Sequence, residues 1–357
     1  MFLYIIGGLA GMLAGAGYLV FFLRRLLTKI LKLNMSTMLW IVIIIIALAL
    51  ALPAINFFSV YAVGYYYFLA VSLLLELLGL VIKSPWYQKL AYTGLMALVI
   101  VAVAIGLGIY NMKNVVETDY TLSSDKISHL KILQISDLHM GTIVHQQELA
   151  RYVKHMNALH PDLVVLTGDI FDESTSLADM KAACKDLGSL SQTKGIYYIY
   201  GNHDTNTYTK TPHYSQEIMK EEIEKNGITI LADETKTMGS LTIVGRKDRG
   251  FANENNRKSI KDLLQGIPQS NYILVLDHQP VEYKDNANAG VDLQLSGHTH
   301  GGQIWPTGQL NELITGGLRY GEKSINDFHI ITSSGIAGWG YPIKIGAVSE
   351  YVLITIN

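Results

Sequence analysis

Apolar residues follow two different regimes along the chain. Within 1–110, four nearly unbroken apolar runs lie at about 2–23, 38–58, 60–82 and 90–110. Each is close to the ~20 residues that a helix needs to cross the hydrocarbon core of a bilayer. Backbone amides surrounded by hydrocarbon must pair within their own segment, so these runs predict four transmembrane helices. A polar stretch at 111–128 reads as a linker, and from 129 the pattern changes to short apolar runs separated by polar and glycine residues. These include LKILQIS (130–136), DLVVLTG (162–168), GIYYIYG (195–201), LTIVG (241–245), NYILVLD (271–277), VDLQLSG (291–297), HIITSSG and EYVLITI. Between the first two, Leu149, Val153, Met156 and Leu159 are spaced as one face of a helix. Strands alternating with helices predict an α/β domain over 129–357.

Charge divides at the same place. Residues 1–113 hold seven basic residues and one acid, Glu76, which leaves 21 basic and 29 acidic residues for 114–357. An acidic soluble part disfavours nucleic acid as a partner, because a phosphate backbone requires a basic surface. The single cysteine, Cys184, excludes an intramolecular disulfide and a thiolate metal cluster.

The first apolar run is not a cleavable signal peptide: its basic residues follow the apolar stretch instead of preceding it. Gly7, Gly11 and Gly15 recur on one face of this helix and predict close packing against a neighbour inside the bundle. Glu76 is the one charge within a span, with no cationic partner evident in the sequence around it. The basic residues of RRLLTKILK (24–32), with Lys83 and Lys89, place those two loops in the cytoplasm. The soluble domain, after an even number of crossings, is then expected outside it.

The candidate chemistry sits at the ends of the apolar runs. DLH follows the first, GD the second, GNHD the third, His278 the NYILVLD run, and GHTH the run at 291–297. Loops leaving the carboxyl ends of strands face the ligand crevice in α/β folds, so several strands deliver Asp, His and Asn to one rim. Carboxylate, imidazole and amide oxygens without thiolate suit Mn, Fe, Zn or Mg. Seven such ligands exceed what one catalytic metal uses and suit two divalent ions sharing a carboxylate. Such a pair activates a bridging water for in-line attack on phosphorus. Gly168, Gly201 and Gly297 each precede a candidate ligand, where a missing Cβ permits close approach.

The ordered blocks D-x-H, GD-x-x-D, GNHD, H and GH-x-H resemble the calcineurin-like metallophosphoesterase superfamily. GHTHGGQ is similar to its membrane-associated bacterial phosphodiesterase branch. The resemblance covers about residues 130–350 and implies a two-sheet α/β/β/α sandwich. It implies Asp137, His139 and His300 on one metal, Asp169 bridging, and Asn202, His278 and His298 on the other. His203 is implied as the residue that protonates the leaving oxygen or stabilises charge, with Asp204 orienting it. Asp172 is expected in a supporting role. Lys344, in GWGYPIKIG, stands near where the family often has an arginine, which raises the question of a substrate contact.

These readings converge on a membrane-anchored two-metal hydrolase of phosphodiester or pyrophosphate bonds. Four helices and aromatic residues at the span boundaries add the expectation of a lipid-linked or cell-envelope substrate and a lipid bilayer as partner. The competing reading is a non-catalytic membrane sensor or scaffold that keeps the fold; the intact ligand set argues against it.

Overall fold

The computed structural model describes residues 2–205, 208–250 and 257–357, with side chains from residue 8 onward. It divides into two compact units: Met1–Tyr110 with Gly340–Ile343, and Asn111–Trp339 with Lys344–Asn357.

The first unit is helical. α1 (Phe2–Arg25), α2 (Thr37–Ala51), α3 (Val60–Val81), α4 (Pro85–Thr93) and α5 (Leu95–Lys113) follow one another. Of these, α1 with the turn after it, α2 with its following turn, α3 and α5 are long and apolar enough to cross a membrane. Their outward faces carry Ile41, Ile45, Leu48, Leu73, Leu77, Leu98 and Leu107, all exposed, as lipid-facing residues are. The fourth span differs from expectation: it begins at 95, not 90, because Gly94 adopts φ 72 and closes α4. Gly11 and Gly15 of α1 lie against Tyr66 and Tyr65 of α3, which is packing inside the bundle; Gly7 falls outside the described side chains. Glu76 does have a cationic partner. Arg25 of α1 donates to its Oε1, and the Tyr18 hydroxyl donates at 2.6 Å. The partner is 51 residues away, so local sequence could not reveal it.

The second unit holds two six-stranded mixed sheets. The first comprises β1 (Val116–Leu122), β2 (Leu130–Ile135), β3 (Leu163–Leu166), β4 (Ile196–Tyr198), β5 (Ile228–Ile230) and the late strand β12 (Glu350–Ile356), in the order β1-β12-β2-β3-β4-β5. The second comprises β6 (Glu234–Met238), β7 (Leu241–Gly245), β8 (Tyr272–Leu276), β9 (Leu293–Ser296), β10 (Gly321–Ile325) and β11 (Phe328–Thr332), in the order β10-β11-β9-β8-β7-β6. Within them β2-β3-β4-β5 and β7-β8-β9-β11 run parallel, so their carboxyl ends share one rim.

Strand residues bury both faces, as parallel sheets covered on both sides require. Ile132, Val165, Ile243, Leu274, Leu295 and Ile354 fill the space between the sheets. On the outer face of the first sheet, Leu133, Ile135 and Leu166 meet α6 (Gln146–Asn157), α7 (Leu177–Gly188) and α8 (Gln216–Lys225). The expected stripe on α6 packs here through Leu149, Val153 and Met156. On the outer face of the second sheet, Ile273 and Val275 meet α9 (Ile260–Leu263) and α10 (Tyr283–Asn288). The result is the expected α/β/β/α sandwich. A last helix, α11 (Thr307–Thr315), buries none of its residues.

The linker expectation is corrected. α5 continues through Lys113, and only Asn114 and Val115 precede β1, which pairs parallel with β12 from Val116↔Glu350 to Leu122↔Ile356. β1 is an edge strand whose alternate residues face outward, so its sequence is polar and resembles a loop.

Candidate metal centre

Each expected ligand leaves the carboxyl end of a strand: Asp137 and His139 after β2, Asp169 after β3, Asn202 after β4, His278 after β8, His298 and His300 after β9. Asp137 (φ 51), His139 (φ 43), Asp169 (φ 52), His298 (φ 70) and His300 (φ 48) all adopt left-handed backbone. That conformation costs a non-glycine residue about 1–3 kcal/mol, and such strain collects at functional sites. Five of the eleven left-handed non-glycine residues among the described residues belong to this one group.

Close backbone approach makes the cluster possible. A Cβ on Gly168 would lie 2.6 Å from the Gly201 amide nitrogen, and one on Gly297 would lie 1.9 Å from Ser136 Oγ. Any side chain at either position would push the strand ends apart.

Two groups of donor atoms result, each drawn within 4.8 Å: Asp137, His139 and His300, and Asp169, His278 and His298. Asp169 Oδ2 stands between them, 3.9 Å from His139 Nε2 in one group and 3.1 Å from His278 Nε2 in the other. Asn202 Oδ1 joins the second group, 3.2 Å from His278 Nε2. The rings are oriented from behind. His278 Nδ1 contacts Thr167 O at 2.8 Å and His300 Nδ1 contacts Ala337 O at 3.1 Å, which leaves each Nε2 facing the cluster. Asp137 accepts the His298 amide at 3.0 Å and the Ser136 hydroxyl at 2.6 Å.

The donor set fits divalent cations. His139 is fully buried, and its Nε2 has no hydrogen-bond partner among the described residues. Its Nδ1 lies 3.4 Å from Asp172 Oδ2, whereas Nε2 is 3.9 Å from Asp169 Oδ2. A buried polar atom without a partner is costly, and a metal ion would satisfy it. The electrostatics point the same way. Burial would raise the Asp169 carboxyl, but the His278, His139 and His203 rings together outweigh burial and hold it far below the ordinary carboxylate range. Burial would lower His278, and Asp169 instead lifts it well above the ordinary histidine value. Burial instead lowers His298 and pushes His300 down to about 3, which keeps both rings neutral and free to donate a lone pair.

His203 lies beside both groups. Its amide donates to Asp169 Oδ1 at 2.9 Å and its ring centroid is 5.3 Å from that of His139. Trp339 and Tyr208 stand 4.9 and 5.0 Å from the same ring. Asp204, expected to orient His203, does not contact that ring. It is buried, and its oxygens accept the amides of Asp169 (2.7 Å), Gly201 (2.7 Å) and Phe171 (2.9 Å). A carboxylate held by three main-chain donors binds the loops together. Glu173 meets His203 Nδ1 instead, at 2.9 and 3.1 Å. Sequence reasoning missed Glu173, whose only signal is an acid one residue beyond GD-x-x-D. Asp172 supports the site as expected, accepting the Thr142 hydroxyl at 2.8 Å and the Ser174 amide at 2.8 Å.

Lys344 has its ammonium held by main-chain carbonyls. It is buried, and its Nζ donates to Ser334 O at 2.6 Å and Gly335 O at 3.0 Å. Burial pushes its ammonium down to about 7, against the pull of Asp137 and Glu350. It braces the Gly335 turn, where a Cβ would lie 2.5 Å from Asp137 Cβ.

Comparisons with known proteins agree with this geometry. A family model for calcineurin-like phosphoesterases matches residues 130–302. The metallophosphoesterase YkoQ of Bacillus subtilis is 30% identical over 231 residues, spanning 62% of this chain and 81% of its own. A metallophosphoesterase of Helicobacter pylori is 31% identical over 230 residues, spanning 63% of this chain and 60% of the relative. A "transmembrane protein with metallophosphoesterase domain" from Danio rerio is 26% identical over 331 residues, spanning 86% of this chain and 74% of its own. The chain therefore covers somewhat less than two thirds of the Helicobacter protein, and more of the other two. On the strength of these matches and of the strand-end ligand cluster, the chain belongs to the calcineurin-like metallophosphoesterase family.

Proposed function

We propose that this chain is a membrane-anchored, metal-dependent hydrolase of phosphate esters. The observation that carries the reading is the position of Asp169 Oδ2 between two buried donor groups, 3.9 Å from His139 Nε2 and 3.1 Å from His278 Nε2. Asp137, His139 and His300 would hold one divalent ion, Asn202, His278 and His298 the other, with Asp169 shared. Bound there, Mn, Fe, Zn or Mg supplies Lewis acidity and charge neutralisation for displacement at phosphorus. His203 is fixed with Nδ1–H toward Glu173, which leaves Nε2 to deliver a proton to the departing oxygen. The rings of Trp339 and Tyr208, against His203, wall the approach.

The bond cleaved is a phosphodiester or pyrophosphate, carried by a lipid head group or a cell-envelope polymer. Support comes from the tether: two residues separate the last apolar helix from the first strand, so the catalytic domain remains close to the bilayer. The basic loops at 24–32 and 83–89 favour an extracytoplasmic domain by the positive-inside rule.

The test is metal analysis of the full-length protein together with turnover of a model monoester, a model diester and a lipid-embedded diester. Asp169→Ala should lose metal and lower kcat by several orders of magnitude, as expected when a shared ligand is removed. Near-normal turnover by an Asp169→Ala protein lacking metal would sink the assignment.

A further inference from the structure

α11 exposes an apolar face that the catalytic reading does not use. Leu310, Leu313 and Ile314 are 53%, 82% and 81% exposed. Their i, i+3, i+4 spacing puts them on one side of the helix. Trp305, just before the helix, is 55% exposed. Exposed large apolar side chains are otherwise scarce in this unit. Outside 305–314, those described are Leu177, Tyr208, Ile218 and Trp339, and two of these four stand against His203. A contiguous apolar face of this kind marks an interaction surface.

The helix is fixed rigidly to the ligand loop. A Cβ on Gly302 would lie 2.5 Å from Gly308 Cα, so the loop and the helix start touch backbone to backbone. Arg319 donates to Gly301 O at 2.8 Å and pairs with Glu312 of α11 at 3.2 Å. The same region receives the end of the last apolar helix. Asn111 of α5 donates to Lys344 O at 3.2 Å and accepts the Ser349 amide at 3.1 Å. Met112 is 4% exposed, and a Cβ on Gly338 would lie 2.6 Å from both Met112 Cε and Gln303 Nε2. Gln303 is two residues from Trp305 and four from the start of α11. The end of α5, the apolar helix and the ligand loop therefore occupy one neighbourhood of this unit. A nine-residue helix is only ~13 Å long, so all of α11 stays near residues 111–112, where the last apolar helix enters this unit.

We propose that α11 is an interfacial helix that lays Leu310, Leu313 and Ile314 into the head-group and acyl boundary of the bilayer holding α5. Such helices bury their apolar face about 5–10 Å into that boundary. Trp305 at the helix start suits the same boundary, where tryptophan is enriched. Because α11 is bolted to the turn after His300, docking would hold the mouth of the metal centre at the lipid surface. The inference does not depend on turnover, so its failure and that of the catalytic reading are separable.

The full-length protein, reconstituted in phosphatidylcholine–phosphatidylglycerol nanodiscs, tests it through single bimane labels at Leu313→Cys and Ile314→Cys, with Lys220→Cys on α8 as the water-exposed control. Cys184 is buried and does not compete for label. Lipids with a nitroxide at acyl carbon 5 should quench the labels at 313 and 314 several-fold more than the label at 220, and aqueous iodide should show the reverse order. Lipid quenching at 313 and 314 no greater than at 220 overturns the proposal. Protection from both quenchers would mean that protein covers the face, and overturns it equally.

Discussion

Glu173, not Asp204, is the carboxylate that meets the His203 ring, with its two oxygens 2.9 and 3.1 Å from Nδ1. In the proposed mechanism this contact holds the His203 ring with Nδ1 toward Glu173 and leaves Nε2 for the leaving group. Loss of a carboxylate that orients an imidazole typically costs 10–100-fold in activity. Glu173→Gln, which retains an acceptor but not the charge, should lower kcat about 10-fold and Glu173→Ala about 100-fold. Metal content and KM should be nearly unchanged in both. A loss of metal from either variant would place Glu173 in the ligand scaffold instead.

Asp204 should behave oppositely. Its oxygens satisfy three buried amides, at Asp169, Gly201 and Phe171, which tie two ligand loops together. Hydrogen bonds to a charged partner are worth about 1.5–3 kcal/mol each, and orphaned buried donors add their desolvation penalty. Asp204→Ala is therefore expected to lower the melting temperature sharply and to weaken metal retention, measured on the full-length protein in detergent. An Asp204→Ala protein with wild-type melting and metal content but a lowered kcat would restore it to a direct role beside His203.

These two acids show how far the sequence could be read. The seven proposed ligand residues were legible because each follows a strand end. Strand periodicity and the motif blocks therefore located them together. The roles of Glu173 and Asp204 depend on which way a loop side chain turns, and spacing carries no such information. β1 escaped notice for another reason: an edge strand exposes alternate residues, and VETDYTL has the composition of a loop. Lys344 looked like a substrate contact by position along the chain. Only the fold shows its ammonium turned onto Ser334 O and Gly335 O.

Within the helical unit, Arg25 and Glu76 form a pair with side chains 11% and 13% exposed, and the Arg25 guanidinium also lies 4.3 Å over the Tyr92 ring. Removing one member of such a pair leaves an uncompensated charge and costs about 3–5 kcal/mol, whereas replacing both by apolar residues can be nearly neutral. Glu76→Leu and Arg25→Leu should each destabilise the detergent-solubilised protein, and the double variant should recover most of the loss. Additive losses in the double variant would show that the two residues act independently.

Sidedness can be decided by labelling. The positive-inside argument rests on Arg24, Arg25, Lys29 and Lys32 in one loop and Lys83 and Lys89 in the other, with no basic residue between the second and third spans. Both basic loops lie on one side when α2 and α3, the two spans between them, both cross. α4 does not count as a crossing: it is nine residues long, about 13 Å, well short of the ~30 Å hydrocarbon core. With α5 crossing as well, the expected topology brings the chain out at Asn111 on the side opposite the basic loops. Cys184 is buried and silent, so a single introduced thiol reports its own position. On intact cells, a membrane-impermeant maleimide should label Asp125→Cys, which is exposed just after β1, and should leave Ser84→Cys unlabelled until the membrane is permeabilised. Labelling of Ser84→Cys alone on intact cells would reverse the orientation and place the metal centre in the cytoplasm. The proposed envelope substrates would then have to give way to a phosphoester presented at the inner leaflet.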